Sequence, residues 1–115
     1  MRRGDICIID LEPVRGTEAN KTRPAVIVSN DGANGTATRR GRGVLTVVPV
    51  TSNVERIYPF QVFLPADSTG LTTDSKAQAE QVRSIDVARV QGHLGSVSAE
   101  LMRELDDALR LHLAL

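Results

Sequence analysis

Two short segments combine residue types that can act on a phosphodiester. The first, at 16–24, contains Glu18 and Arg23, and the second, at 49–53, contains Thr51. Arg23 opens one predicted buried strand and Thr51 ends another, so their side chains are expected at strand ends that can converge on one small cleft. A permanently charged guanidinium, a hydroxyl and a carboxylate suit the task of holding and polarising a phosphate ester.

A purely structural explanation of the same residues is also available. Arg23 can pair with Glu18 in a solvated loop, and Thr51 can occupy a position where its β propensity is useful. Spacing alone favours this structural explanation, so a functional interpretation needs further support.

Other catalytic arrangements find little support in the sequence. The two histidines, His93 and His112, are far apart in the chain, and Cys7 is the only cysteine. Neither a ligand-spaced metal set nor an internal disulfide is therefore predicted. The G-x-S-x-G motif of many serine hydrolases is also missing from the sequence.

The charge balance narrows the class of anion that the chain can bind. Fourteen basic and fourteen acidic side chains give a net charge of zero, which argues against a general polyanion-coating protein. Residues 1–60 carry nine basic and six acidic side chains, so an anion site is expected in the first half. With 3% aromatic residues and no Trp, a base-stacking platform of many rings is excluded.

The apolar pattern predicts strands first and one long helix last. Strands are predicted at 4–11, 23–30, 44–52 and 58–65, and a short helix at 84–90. A loop that can hold one short helical turn is predicted at 31–43, and a turn with a brief extended piece at 91–97. The clearest helix is 98–115, capped by Ser98 and carrying a leucine-rich stripe. Propensity favours a helix at 75–83, whereas alternation there permits a strand.

These elements predict one domain over residues 1–115, mostly β, in which a small bent sheet or barrel packs against a terminal helix. The strands and helices do not alternate regularly, which argues against a doubly wound fold. The first residues do not resemble a signal peptide, and the apolar runs fall far short of the about 20 residues that span a bilayer. A soluble cytoplasmic protein with no membrane contact is expected.

The same segments resemble the MazF/PemK family of toxin endoribonucleases. The matching pieces, in chain order, are RGDI at 3–6, GTE at 16–18, RPAVIVS at 23–29, VPVTS at 48–52, YPF at 58–60 and QVRSI at 81–85. Each piece is weak by itself, but their order and spacing together are specific.

The resemblance implies an SH3-like small barrel of the MazF/PemK/CcdB type with a long C-terminal helix, and a homodimer. It implies sequence-specific cleavage of single-stranded RNA without metal or cofactor, and inhibition by a cognate antitoxin. It also implies a strand at 75–83. In this family the Arg of the RP step and the Thr of the PxT step are catalytic, which points to Arg23 and Thr51, and Glu18 matches the family's glutamate.

The mechanism implied uses the RNA's own 2′-OH as nucleophile and leaves a 2′,3′-cyclic phosphate and a 5′-OH. Arg23 and backbone donors near Thr51 can stabilise the extra charge of the phosphorane. An arginine does not ordinarily give up its proton, so Glu18 is the better candidate for the general base.

Further side chains are predicted to bind substrate. Arg15 and Lys21 are expected to follow the RNA backbone, and Asn30, Ser52 and Asn53 to contact base edges, although capping of turns is the commoner role of such residues. Arg39, Arg40 and Arg42 either flank the same groove or are solvated. The antitoxin is expected to lay a disordered, acidic segment over this groove.

Two other functions remain open at this point. Toxins that trap DNA gyrase share the fold, but the tail at 111–115 lacks their Trp-Gly-Ile ending. A non-catalytic SH3-like binding module is the second alternative.

Overall fold

The computed structural model describes residues 1–11, 16–17 and 22–115, and in this part of the chain seven strands and three α-helices follow one another. Their order is β1 (Asp5–Asp10), β2 (Thr22–Ile27), α1 (Asp31–Arg40), β3 (Val44–Thr51), β4 (Gln61–Leu64), α2 (Ala66–Thr69), β5 (Ser75–Gln78), β6 (Arg83–Asp86), β7 (Val90–Ser96) and α3 (Ala99–Leu113). Short 3-10 turns cover Ala79–Gln81 and Val87–Arg89.

The long strand β3 organises an antiparallel sheet. The strand order is β4-β5-β3-β2-β1-β7, and β6 also pairs with β3. On one side β3 pairs with β2, while on the other its first half pairs with β6 and its last two residues, Val50 and Thr51, pair with β5. Thr51, at the end of β3, therefore lies where β3 stops pairing with β2 and pairs with β5.

The two edge strands of the sheet, β4 and β7, are not paired with each other among the described residues, but the sheet edges come close together. The turn that ends α2, just after β4, lies against β7. A Cβ added at Gly95 would overlap the carbonyl oxygen of Thr69, and one at Gly70 would come within 2.5 Å of the carbonyl oxygen of Leu94. Only glycine permits this close approach, which bends the sheet into the expected barrel-like shape.

Apolar side chains pack on both faces of the sheet. Alternation along β1 places Ile6 in one cluster and Cys7 and Ile9 in the other. The helix α3 covers the first cluster with Leu105 and Ala108, both almost fully buried. The predicted mostly β fold with a packed C-terminal helix is confirmed.

The N-terminus and α3 are tied together by polar contacts. The Ser98 hydroxyl accepts a hydrogen bond from the Leu101 amide and caps α3 as predicted. Arg3 forms an ion pair with Asp106 at 2.6 Å and donates to the Val28 carbonyl at 2.8 Å. The first residue of the RGDI segment thus has a structural role between β1, β2 and α3.

The loop predicted at 31–43 is wrong, because residues Asp31–Arg40 form the helix α1. The Asn30 side chain caps it by accepting from the Ala33 amide at 2.8 Å. The fully buried Asn34 donates to the Ser29 carbonyl at 2.8 Å and accepts from the Ser29 hydroxyl. These hydrogen bonds with the two residues before α1 stabilise a helix whose glycines and threonines have poor intrinsic propensity.

The assignments around 75–97 also need correction. The helix predicted at 84–90 is wrong, since Arg83–Asp86 is a strand beside β3 and only Val87–Arg89 is helical, as a 3-10 turn. The segment 91–97, predicted as a turn with only a brief extended piece, lies in the strand β7 up to Ser96 and pairs with β1. The strand expected at 75–83 ends at Gln78. Pairing with strands that are distant in the sequence determines the secondary structure of these segments, and the local residue pattern does not reveal that pairing.

None of the described helices combines the length and apolar character that crossing a bilayer requires.

Candidate active site

Arg23 and Thr51 share one hollow at the end of the β2–β3 ladder. The two strands pair from Ile27 and Val47 up to Ala25 and Pro49. Pro24 has no N–H with which to extend the ladder, so the strands separate there. Arg23 and Thr51 each lie two residues beyond the last pair on antiparallel strands, and both line a hollow of about 330 Å³.

The wall of this hollow is rich in hydroxyl groups and carries one charge among its described residues. These lining residues are Arg23, Pro24, Val50, Thr51, Ser52, Leu71, Thr72, Thr73 and Ser75. Because the described part of the wall contains a guanidinium and no carboxylate, the hollow favours an anion.

The hydroxyl of Thr51 is oriented by the backbone. Its Oγ1 accepts a hydrogen bond from the Asn53 amide at 3.3 Å. An oxygen that accepts in this way can still donate its own proton, and no described residue takes that proton. The proton is therefore free for an acceptor placed in the hollow.

The opposite wall comes from the segment that leads into β5. The Ser75 side chain is buried, and its hydroxyl donates to the Thr73 carbonyl at 2.8 Å. The pairing of Thr51 with Lys76 places this segment directly beside the end of β3. The contact fixes the width of the hollow.

This arrangement suits the stabilisation of a phosphate that gains charge. A half-buried guanidinium and a hydroxyl can donate to two non-bridging oxygens, and each donation strengthens as negative charge develops.

The structure separates the predicted substrate-binding residues. Ser52 lines the hollow with Thr51, whereas Asn53 lines a neighbouring one and uses its Oδ1 to accept from the Glu55 amide at 3.2 Å. Asn30 is exposed and engaged as the cap of α1, outside the described wall of the hollow.

The predicted residues Arg15, Glu18 and Lys21 lie outside the described residues, and their roles stay predictions. Arg39 and Arg40 lie in the last turn of α1. Arg40 and Arg42 line a separate hollow beside that helix, so the structure does not bring them to Arg23.

Sequence reasoning missed the wall formed by Leu71, Thr72, Thr73 and Ser75. The hydroxyl-rich run at 72–75 is the visible signal of this wall in the sequence. Its place in the site follows from the β3–β5 pairing, which joins residues about 25 positions apart.

Among the described residues, no group of three or more His, Cys, Asp or Glu side chains is arranged so that it could hold a metal ion. The prediction that cleavage needs no metal stays a prediction.

Comparisons with known proteins match the whole chain. The family described as PemK-like, MazF-like toxin of type II toxin-antitoxin system matches residues 2–113. Endoribonuclease MazF9 of Mycobacterium tuberculosis is 63% identical over 115 residues, which is 100% of this chain and 98% of that protein.

Two solved structures from Deinococcus radiodurans share the fold. A MazF crystal structure has a TM-score of 0.84 and 28% identity, covering 100% of this chain and 97% of its own. A MazE-MazF crystal structure has a TM-score of 0.75 and 25% identity, covering 100% and 96%. With nearly the whole sequence matched, the chain belongs to the PemK-like, MazF-like toxins of type II toxin–antitoxin systems.

Proposed function

We propose that this chain is a sequence-specific endoribonuclease that cleaves single-stranded RNA and acts as one domain over residues 1–115. The observation that carries the proposal is the shared hollow of Arg23 and Thr51. The 63% identity to a protein named as an endoribonuclease supports it.

The reaction is a transesterification within the RNA. The ribose 2′-oxygen attacks the adjacent phosphorus and loses its proton, and the bond from phosphorus to the 5′-oxygen breaks. That oxygen takes up a proton, so the products are a 2′,3′-cyclic phosphate and a 5′-OH. Arg23 and the Thr51 hydroxyl hold the non-bridging oxygens, whose charge increases in the phosphorane.

Glu18 is proposed as the base that takes the 2′-OH proton. A carboxylate base must be ionised, so the rate should fall at acidic pH as Glu18 becomes protonated. The Glu18→Gln variant should lose this acidic limb of the pH–rate profile. Superimposable profiles of the two proteins would remove Glu18 from the role. Arg15 and Lys21 are proposed to contact the RNA backbone beside it.

The partners proposed are a second copy of this chain and a cognate antitoxin. The MazE-MazF structure of Deinococcus radiodurans supports an antitoxin partner. A disordered acidic segment would compete with RNA for the positive hollow. RNA as substrate makes the cytoplasm the proposed site of action.

The test is incubation of the purified protein with a long RNA in EDTA, followed by analysis of the new ends. Cyclic phosphate and 5′-OH ends at a recurring short sequence are expected. Intact RNA together with inhibited gyrase supercoiling would favour a gyrase-directed toxin, and no effect on either would favour a binding module.

A further inference from the structure

A second hollow lies next to the one that holds Arg23 and Thr51. It has a volume of about 510 Å³ and is lined by Asn53, Glu55, Arg56, Tyr58 and Lys76. The two hollows are lined by consecutive residues on two strands. Ser52 lines the first and Asn53 the second, and in the same way Ser75 lines the first and Lys76 the second. A strand of RNA that extends from the first hollow toward Asn53 and Lys76 enters the second.

Lys76 brings a buried positive charge to this second hollow. Its residue surface is 7% exposed, and its Nζ donates to the Arg56 carbonyl at 2.5 Å. No described carboxylate lies within ion-pair distance of it. A buried ammonium that is held only by a carbonyl oxygen gains from an anion, since it still has two donors to offer.

Arg56 and Tyr58 add a flat, cationic surface. The guanidinium carbon of Arg56 lies 5.3 Å from the Tyr58 ring centroid. The Tyr58 ring is also stacked on Phe60, with centroids 5.3 Å apart and an interplanar angle of 2°. Tyr58 is nevertheless 41% exposed. Stacked rings and guanidinium planes are the surfaces on which unpaired bases stack.

Hydrogen bonds hold the segment that carries Arg56 and Tyr58 in place. The Tyr58 amide donates to Gln61 Oε1 at 3.1 Å, and Gln61 Nε2 donates to Glu80 Oε2 at 2.7 Å. With the Lys76 bond to the Arg56 carbonyl, the segment is fixed at both ends. A fixed segment loses little conformational entropy when it binds a ligand.

We propose that the second hollow is a nucleotide subsite, in which Lys76 binds a phosphate of the RNA and the exposed Arg56 guanidinium, held over the Tyr58 ring, stacks a base beside the scissile step. The Glu55 carboxylate in the same wall can accept from an exocyclic amine of that base and so contribute to sequence preference. The subsite rests on the proposed RNA cleavage and extends it to the neighbouring nucleotide.

The fluorescence of Tyr58 can report binding at this subsite. Tyr58 is the single tyrosine and there is no tryptophan, so tyrosine emission comes from this hollow alone. The probe is a random pool of twelve-nucleotide RNA, fully 2′-O-methylated so that it cannot be cleaved. Titration should quench Tyr58 emission in step with binding measured by fluorescence anisotropy of a labelled pool.

Matched variants give a second readout. Arg56→Gln and Tyr58→Leu should weaken binding of the pool by roughly 5- to 100-fold, the range for loss of one stacked base. Lys76→Gln, which removes the phosphate contact, should reduce the slope of log K against log salt concentration by about 0.7. The control Arg103→Gln, on the exposed face of α3, should bind like the wild type.

The outcomes separate this subsite from the proposed activity. Cleavage and binding with unchanged Tyr58 emission and unaffected variants would overturn the subsite and leave the endoribonuclease standing. Quenching and variant effects without cleavage in EDTA would support the subsite and contradict the activity. A wild-type chain that neither binds nor cleaves would overturn both.

Discussion

At the scale of single residues, the Thr51 hydroxyl is the group whose chemistry is most constrained. Its oxygen accepts from the Asn53 amide, so the proton that remains is directed to an acceptor in the hollow. Thr51→Val keeps the shape and removes the hydroxyl. Because one donor to the phosphorane is lost, single-turnover cleavage should fall by about 10²-fold.

The control for this change is Thr51→Ser, which retains the hydroxyl and should keep the rate within a few-fold of the wild type. Rates are measured with excess enzyme on one labelled RNA. A valine variant that cleaves as fast as the wild type would contradict the role of the hydroxyl, and an equal loss in the serine variant would mean that the hydroxyl alone does not account for the effect.

Cys7 provides a test of the core at the same scale. Burial, followed by the nearby Asp5 carboxylate, raises the pKa of the Cys7 thiol. As pH rises, the thiol therefore ionises in the unfolded chain before it ionises in the folded one. Its contribution to the free energy of unfolding is fully present below the unfolded thiol pKa of about 8.5. That contribution is lost as pH rises through the folded pKa.

Urea unfolding between pH 7 and pH 10 measures this decline. Wild-type stability should fall more steeply above about pH 8.5 than that of Cys7→Ala, which has no thiol to ionise. Parallel curves would show that Cys7 is not desolvated in the folded protein.

At the scale of elements, the strand β3 decides where the site forms. It pairs with β2, β6 and β5 in turn, so its last residues meet two other strand ends. Short apolar runs predicted β1, β2 and β3 from the sequence, because both faces of these strands are buried. The strand β7 was missed because most of its residues are exposed and leave no apolar alternation.

The helix α1 escaped prediction for a different reason. Gly32 and Gly35 lower its intrinsic propensity, while Asn34 stabilises it through contacts with Ser29 outside the helix. Such contacts become visible only once the neighbouring strand is in place.

The contact between α2 and β7 gives a prediction with an internal control. Gly95→Ala would force a Cβ onto the Thr69 carbonyl, whereas a Cβ at Gly92 on the same strand meets nothing within 4 Å. Gly95→Ala should therefore lower the free energy of unfolding by about 1–3 kcal/mol or more, and Gly92→Ala should change it little.

Thermal and urea unfolding of the two variants check this difference. Equal stabilities would show that the edges of the sheet are not in contact through this turn.

At the scale of the whole molecule, the positive charges that matter are local. The chain has no net charge, yet its first hollow contains Arg23 and its second contains Arg56 and Lys76. The sequence indicated an anion site in the first half. Positions at strand ends made Arg23 and Thr51 candidates, and the family resemblance assigned them the catalytic role. Lys76 and the wall at 71–75 could not, because they join the site through a pairing between distant segments.

The most direct test of the account is single-turnover RNA cleavage in EDTA by Arg23→Ala, compared with wild type and Arg103→Ala. Removal of the guanidinium should cost about 3–4 kcal/mol of transition-state stabilisation, a rate loss of roughly 10²- to 10³-fold, with the fold retained by circular dichroism. Arg103→Ala should cleave like the wild type. An Arg23→Ala protein that cleaves at nearly the wild-type rate would contradict the central claim that this guanidinium holds the scissile phosphate.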